Sequence, residues 1–208
     1  ERLEPAPRLR RYLMRLINRL RPFERRRYIC QEGLDFDERL LYTRVKRVLY
    51  LEGYWQSEQY FSDVMSVIRA DLSITPPRDE VNLQVAAQIR SCKAVAVHVR
   101  FFDSPLEQGV GNLSQRYYER ALAKIEKLMP DAHYFIFSDQ AHLARNCVPL
   151  PPERMTFVTH NQGDENAYAD LWLMTHCQHF IIANSSYSWW AAWLNDSEDK
   201  IIIAPKNW

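Results

Sequence analysis

Polar side chains able to act on a charged ligand gather at three places: His98, Arg100 and Asp103; Ser138 and Asp139; and Asn184, Ser185 and Ser186. Each group follows a short apolar run, "AVAV", "YFIF" or "FIIA". An arginine supplies a fixed positive charge and a planar fork that matches two phosphate oxygens. Serines at a helix start offer hydroxyls beside free backbone N–H groups, where the helix dipole favours an anion. An aspartate accepts from two adjacent N–H donors, the pattern a guanine edge presents. Together these residues describe a nucleotide diphosphate site with no metal. With five glycines in the chain, a glycine-rich phosphate loop is not expected either.

Behind the last group stand Trp189, Trp190 and Trp193, half of the six tryptophans of the chain. At spacings i, i+1 and i+4 they anchor the helix that begins at the serines and hold its first turn rigid. The serines serve as helix caps at the same time.

The elements that must position these groups are legible from periodicity. Leu9, Tyr12, Leu13, Leu16, Ile17 and Leu20 mark one face of a helix ended by Pro22, with arginines opposite. Asp37 predicts a capped helix over 38–47, "RVLYLEGYW" contains a short apolar strand, and Ser57–Leu72 reads as a helix. A further helix is predicted over Val81–Ser91. From Cys92 onward the texture changes. "KAVAVHVRF", "HYFIFSD", "MTFVTH", "HFIIANS" and "KIIIAP" read as buried strands, separated by three helices, the first begun at Ser114 and stopped by Pro130. Such alternation predicts an α/β domain with a parallel sheet, whose ligands bind at the carboxyl ends of the strands. The expected division is a mostly helical part over 1–91 and a Rossmann-type nucleotide-binding domain over 92–208.

Composition narrows the class. The chain has 208 residues, 47% apolar and 25% charged, and a net charge of +1, so it is no obvious nucleic-acid binder. Residues 1–27 nevertheless hold ten arginines against three glutamates, which leaves the remainder acidic. An arginine-rich helix suits peripheral contact with an anionic membrane. No run approaches the roughly 18 apolar residues of a membrane span, and no leader with an apolar core is visible. Four dispersed cysteines fit reduced thiols, and the expected location is the cytoplasm, at most peripheral to the membrane. "DFD" at Asp35–Asp37 is read as a helix cap rather than a metal motif, and "HCQH" at His176–His179 has no second ligand pair.

The blocks "LEGYWQSEQYF", "AVAVHVRFFDS", "HYFIFSDQ" and "DLWLMTHCQHFIIANSSYSWWAAWLN…IIIAPKNW" resemble the α-1,2-fucosyltransferase family, glycosyltransferase family 11, over about residues 47–208. The resemblance implies a GT-B-like fold and inverting, metal-independent transfer of L-fucose from GDP-β-L-fucose to the 2-hydroxyl of a galactose-containing glycan. It implies that His98 and Asp139 contact guanine, Arg100 the β-phosphate, and Ser185 and Ser186 the diphosphate, with Ser138 and Asn184 on the same rim. Asp103 is the expected general base and Glu107 the second choice. The family pattern H-x-R-R-x-D-Y reads here His98, Val99, Arg100, Phe101, Phe102, Asp103, Ser104, so its second arginine is Phe101. The glycine-rich opening segment of the family is absent, which reads as part of a longer protein. Two alternatives stand beside a fucosyltransferase: a GDP-sugar-binding protein with lost or reduced turnover, and a transferase of another GDP-sugar.

Overall fold

The computed structural model describes residues 8–45, 47–102 and 112–206. The chain forms two compact units, residues 1–68 and 69–208.

The first unit contains α1 (Arg8–Arg19), β1 (Tyr28–Cys30) and β2 (Tyr50–Glu52), with three 3₁₀ turns between and after them. The two strands pair in parallel, Tyr28 opposite Tyr50 and Cys30 opposite Glu52. Asn18 Nδ2 donates to the Tyr28 carbonyl at 2.6 Å and so ties α1 to β1. The predicted helix over 38–47 shrinks to a 3₁₀ turn, Glu38–Leu40. Asp37 does cap it, accepting from Arg39 N, but β-branched Thr43, Val45 and Val48 favour the extended approach to β2. The predicted helix over 57–72 breaks as well. A 3₁₀ stretch, Glu58–Val64, contains non-helical Phe61, and α2 (Met65–Asp71) follows. Here aromatic contacts win over helix propensity: the Tyr60 ring packs on Phe36 and Trp55, and its hydroxyl accepts from Asp37 N at 2.8 Å.

The second unit opens with α3 (Glu80–Arg90), capped by Asp79, which accepts from Asn82 N. Then come β3 (Ala94–Val99), α4 (Gln115–Leu128), β4 (His133–Ser138), α5 (Ala141–Cys147), β5 (Met155–Val158), α6 (Ala167–Thr175), β6 (His179–Ile181), α7 (Ser186–Leu194) and β7 (Ile202–Ile203). All five predicted strands form, in one parallel sheet of order β5-β4-β3-β6-β7. The helix α3, which the sequence assigns to the N-terminal part, contributes Ala86 and Ile89 to the core of this unit. The structural division therefore falls at 68/69, ahead of the expected 91/92.

Strand alternation sorts the core into two faces. Ala94, Ala96, Phe135, Phe137 and Phe180 pack with α3, α6 and α7. Val95, Val97, Val99, Tyr134 and Ile136 pack with α4 and α5. β3 is buried along its whole length, as a strand covered on both faces must be. Each large apolar side chain taken from water in this way contributes about 2–3 kcal/mol. At the sheet margin, Tyr117 of α4 turns its hydroxyl to the carbonyls of Ile182, at 2.7 Å, and Ile203, at 3.1 Å. Cys147 and Cys177 are free thiols that burial pushes up, and Cys177 is fully enclosed.

Asn195 closes the two tryptophan-bearing helices. Its Nδ2 donates to the carbonyls of Thr175 and Cys177, both at 2.9 Å, and its Oδ1 accepts from Ser197 N at 3.0 Å. Asn195→Ala strands those groups in a site 7% exposed. It is expected to lower unfolding stability by about 2–3 kcal/mol, read from the urea midpoint at unchanged slope.

Candidate functional site

In a sheet of this order the chain leaves β3 toward β4 on one side and resumes at β6 on the other. The connections diverge at adjacent β3 and β6, and in such sheets the ligand crevice lies outside the carboxyl ends of those two strands. The polar groups predicted at the ends of strands one and four are the groups that flank it.

His98 and Arg100 share a face by strand alternation. The imidazole is 5% exposed and lies against the Tyr187 ring of α7, 5.6 Å between centroids. Its Nδ1 is buried with no hydrogen-bond partner among the described residues. Burial first, and the charge of Arg100 second, push the His98 pKa down to about 3. The ring is therefore neutral at physiological pH, with one enclosed nitrogen left without a partner among the described residues. Below it, Tyr118 OH donates to the His98 carbonyl at 3.2 Å and holds the strand end in place.

Arg100 is held from the neighbouring strand. Its Nη1 lies 2.9 Å from Asp139 Oδ2, while Asp139 Oδ1 accepts from Phe101 N at 3.1 Å. One carboxylate thus fixes both the side chain of Arg100 and the backbone beyond it. In this arrangement Asp139 acts as a brace for Arg100, its two oxygens engaged within the protein. The guanidinium rests against the Phe102 ring at 5.4 Å. Ser138 Oγ accepts from Gln140 N at 3.1 Å and so shapes the turn that presents Asp139. Phe101, in the place of the family's second arginine, points the other way and packs on the α4–α5 face of the core.

Across the crevice β6 runs into α7. Ser185 is extended, at φ −149° and ψ 123°, and its hydroxyl makes no capping bond. The cap bond comes from the backbone, Trp189 N donating to the Ser185 carbonyl at 3.1 Å, and Ser188 Oγ donates to that same carbonyl at 3.3 Å. The first-turn N–H groups of α7 are left without a side-chain cap, beside half-buried Ser185 and exposed Ser186. Beneath them Trp189 stacks on Trp193 at 6.2 Å, and Trp190 meets both rings edge-on. Arg69, paired with Asp196 at 3.2 Å, lies over the Trp193 ring at 4.2 Å. Asn184 sits between strand and helix, half-buried.

Asp103 and Glu107, the expected base and its alternative, lie outside the described residues. His176 and His179 serve separate partners: His176 Nδ1 bonds the Trp172 carbonyl at 2.8 Å, and His179 Nδ1 accepts from Ile201 N at 3.1 Å. Among the described residues no three His, Cys, Asp or Glu side chains group as metal ligands.

The sequence reading missed a polar network just past β5. Asn161, just past β5, donates to Asp170 at 2.8 Å and exchanges amide bonds with buried Asn82. His160 Nε2 lies 3.0 Å from Asn82 Oδ1. Burial pushes the Asp170 carboxyl up to about 6, against the Asn161 bond. Burial and the nearby Asp170 both raise the Tyr187 phenol, which donates to the Ala167 carbonyl. Asn161 follows a predicted strand as Arg100 and Asp139 do, so inspection of every strand end would have found it.

A profile described as Glycosyl transferase family 11 matches residues 5–208. The chain belongs to this family. The chain is similar to the O-antigen biosynthesis glycosyltransferase WbnK of Escherichia coli, 41% identical over 98 residues, which is 47% of this chain and 32% of the relative. It is also similar to an alpha-1,2-colitosyltransferase of Escherichia coli, 32% identical over 165 residues, 75% of this chain and 54% of the relative. The chain thus spans about half the length, or less, of these family 11 relatives. Among solved structures, POFUT1 in complex with GDP aligns at a TM-score of 0.45 and 15% identity, covering 76% of this chain and 54% of that one.

In this family 11 chain Asp170 offers a direct test of the site's burial. A carboxyl raised on folding binds its proton more tightly in the folded state. The stability it confers is full below the unfolded carboxyl pKa and is lost as pH rises through about 6. Asp170→Asn stays neutral throughout. Relative to the parent it is expected to gain about 2 kcal/mol in urea unfolding between pH 4 and pH 7.5.

Proposed function

We propose that the chain carries the donor-binding part of a metal-independent, inverting glycosyltransferase that moves L-fucose from GDP-β-L-fucose to the 2-hydroxyl of a galactoside. The observation that supports this most is a braced arginine past β3 and an uncapped helix start past β6, at the ends of adjacent parallel strands. Arg100 is held by Asp139, and Ser185 and Ser186 stand at the start of α7 with its first-turn N–H groups. Neutral His98 lies beneath the same strand end, enclosed against Tyr187, and we assign it to the nucleobase side of the site.

The chemistry asks for this geometry. As the fucosyl–phosphate bond breaks, charge leaves the sugar and gathers on the β-phosphate. Donors fixed where that charge develops stabilise the transition state more than the ground state. A guanidinium and a helix start supply the positive potential that other transferases draw from a cation. The acceptor hydroxyl gives up its proton to a base on the opposite face of the sugar, and we assign that role to Asp103. The donor sugar is the finer question. One relative is named for colitosyl transfer, which makes a colitosyl donor the principal rival to GDP-fucose. A protein that holds the donor without turnover remains the other rival. Phe101 argues less for it than the altered motif alone did, because its side chain belongs to the core.

Arg100→Ala is expected to lower kcat/KM for fucosyl transfer by at least ~10²-fold, about 3 kcal/mol, with partial recovery in Arg100→Lys. Calorimetry with GDP should show the same order. An Arg100→Ala protein that binds GDP and transfers like the parent removes the crevice from the mechanism. Phe101→Arg is expected to lose stability, by several kcal/mol, rather than to gain turnover, since a guanidinium would enter an apolar layer.

Activity is expected to persist in EDTA. Loss in chelator with recovery in manganese would contradict metal independence.

A further inference from the structure

In the first unit a cavity of about 550 Å³ opens between residues 21–27 and residues 43–50. Six arginines line it: Arg21, Arg25, Arg26, Arg27, Arg44 and Arg47. The lining carries one carboxylate, Glu24. Ion pairs do not explain the crowding. Among the described residues none of these arginines makes a salt bridge, although the nearby Arg39 has Asp37 at 2.7 Å. Arg26 lies over the Phe23 ring at 5.3 Å and donates from Nε to the Arg21 carbonyl at 3.3 Å, with no carboxylate of the described residues in salt-bridge contact. Guanidiniums drawn around one space repel each other and favour a counter-anion between them.

Apart from Thr43, the rest of the lining is mainly apolar: Pro22, Val45, Val48, Leu49 and Tyr50. Val45, Val48 and Tyr50 are 58%, 48% and 43% exposed in the wall beside the arginines. Apolar surface next to unpaired cations matches a ligand with an anionic head and a hydrocarbon body. A nucleic-acid strand would instead call for several aromatic platforms, and Tyr50 is the one aromatic ring in the lining. The volume is in the range that encloses a small-molecule head group.

We propose that this cavity binds the phosphate-bearing head of a membrane amphiphile, its oxygens in the arginine forks and its first apolar carbons against Val45 and Val48. The site is separate from the donor crevice, and its occupancy does not depend on which sugar is transferred.

The test uses flotation of the chain with phosphatidylcholine vesicles, with and without phosphatidylglycerol. Binding is expected only with the anionic lipid and should weaken steeply with salt, because exposed charges are screened within about 10 Å at 0.1 M. Reversing Arg25, Arg27 and Arg47 to glutamate together should weaken it by at least ~10-fold. Reversing Arg78, Arg90 and Arg120, exposed arginines elsewhere in the chain, changes net charge equally and should leave most binding intact. Val45→Ser with Val48→Ser should weaken vesicle binding while leaving affinity for inorganic pyrophosphate unchanged. Equal losses in both charge-reversed proteins would overturn the proposal, as would no binding to anionic vesicles. Vesicle binding indifferent to the valines would overturn the amphiphile, leaving a plain anion pocket. Displacement by polyuridylate at lower phosphate concentration than by lipid would reassign the cavity to nucleic acid.

Discussion

β3 is the constraint on which the second unit rests. It is buried throughout, pairs with β4 at six positions and with β6 at three, and contributes alternate residues to both cores. A strand so enclosed cannot shift register by one residue without exchanging Val95, Val97 and Val99 for Ala94, Ala96 and His98 across the sheet. Its register therefore decides where Arg100 emerges. The same alternation explains why adjacent Arg100 and Phe101 have unlike roles, one at the crevice and one in the apolar layer.

The polar groups around the crevice form a graded set. Arg100 stays partly exposed and shares its charge with Asp139, while His98 is enclosed and neutral. Past β5, half-buried Asp170 and Asn161 form a network with buried Asn82 in which each amide has partners. Rigidity at the rim thus comes from two sources, hydrogen bonds on the β5 side and packed indole rings on the α7 side. A site held in this way needs little rearrangement to present its donors, which is the condition under which fixed dipoles are most effective.

Much of this was legible in the chain itself. Buried parallel strands appear as continuous apolar runs, and all five were found because polar residues break four of the runs and Pro205 the last. Helices with strong caps, such as α3, were found within a residue or two. The first unit was harder. Its turns depend on side chains distant in sequence, as when Tyr60 reaches Asp37 N, and periodicity carries no signal of that. β1, of three residues, is too short to show alternation, and α5 was hidden in a segment of mixed polarity. At the site, residue types marked the polar strand ends but not how their groups are shared. Asp139 looked like an open acceptor because its commitment to Arg100 and Phe101 N exists only once β3 and β4 are paired.

The hydroxyl of Tyr117 has a further consequence at the sheet margin. β7 meets its neighbour at only two residues, and Ile202 stands 43% exposed on the rim. Such a strand has few backbone bonds to resist local opening, so its protection rests on what grips it from above. One phenol bridging the Ile182 and Ile203 carbonyls couples the opening of β7 to displacement of α4. The outermost strand therefore exchanges its amide hydrogens as part of a larger cooperative unit, rather than fraying alone.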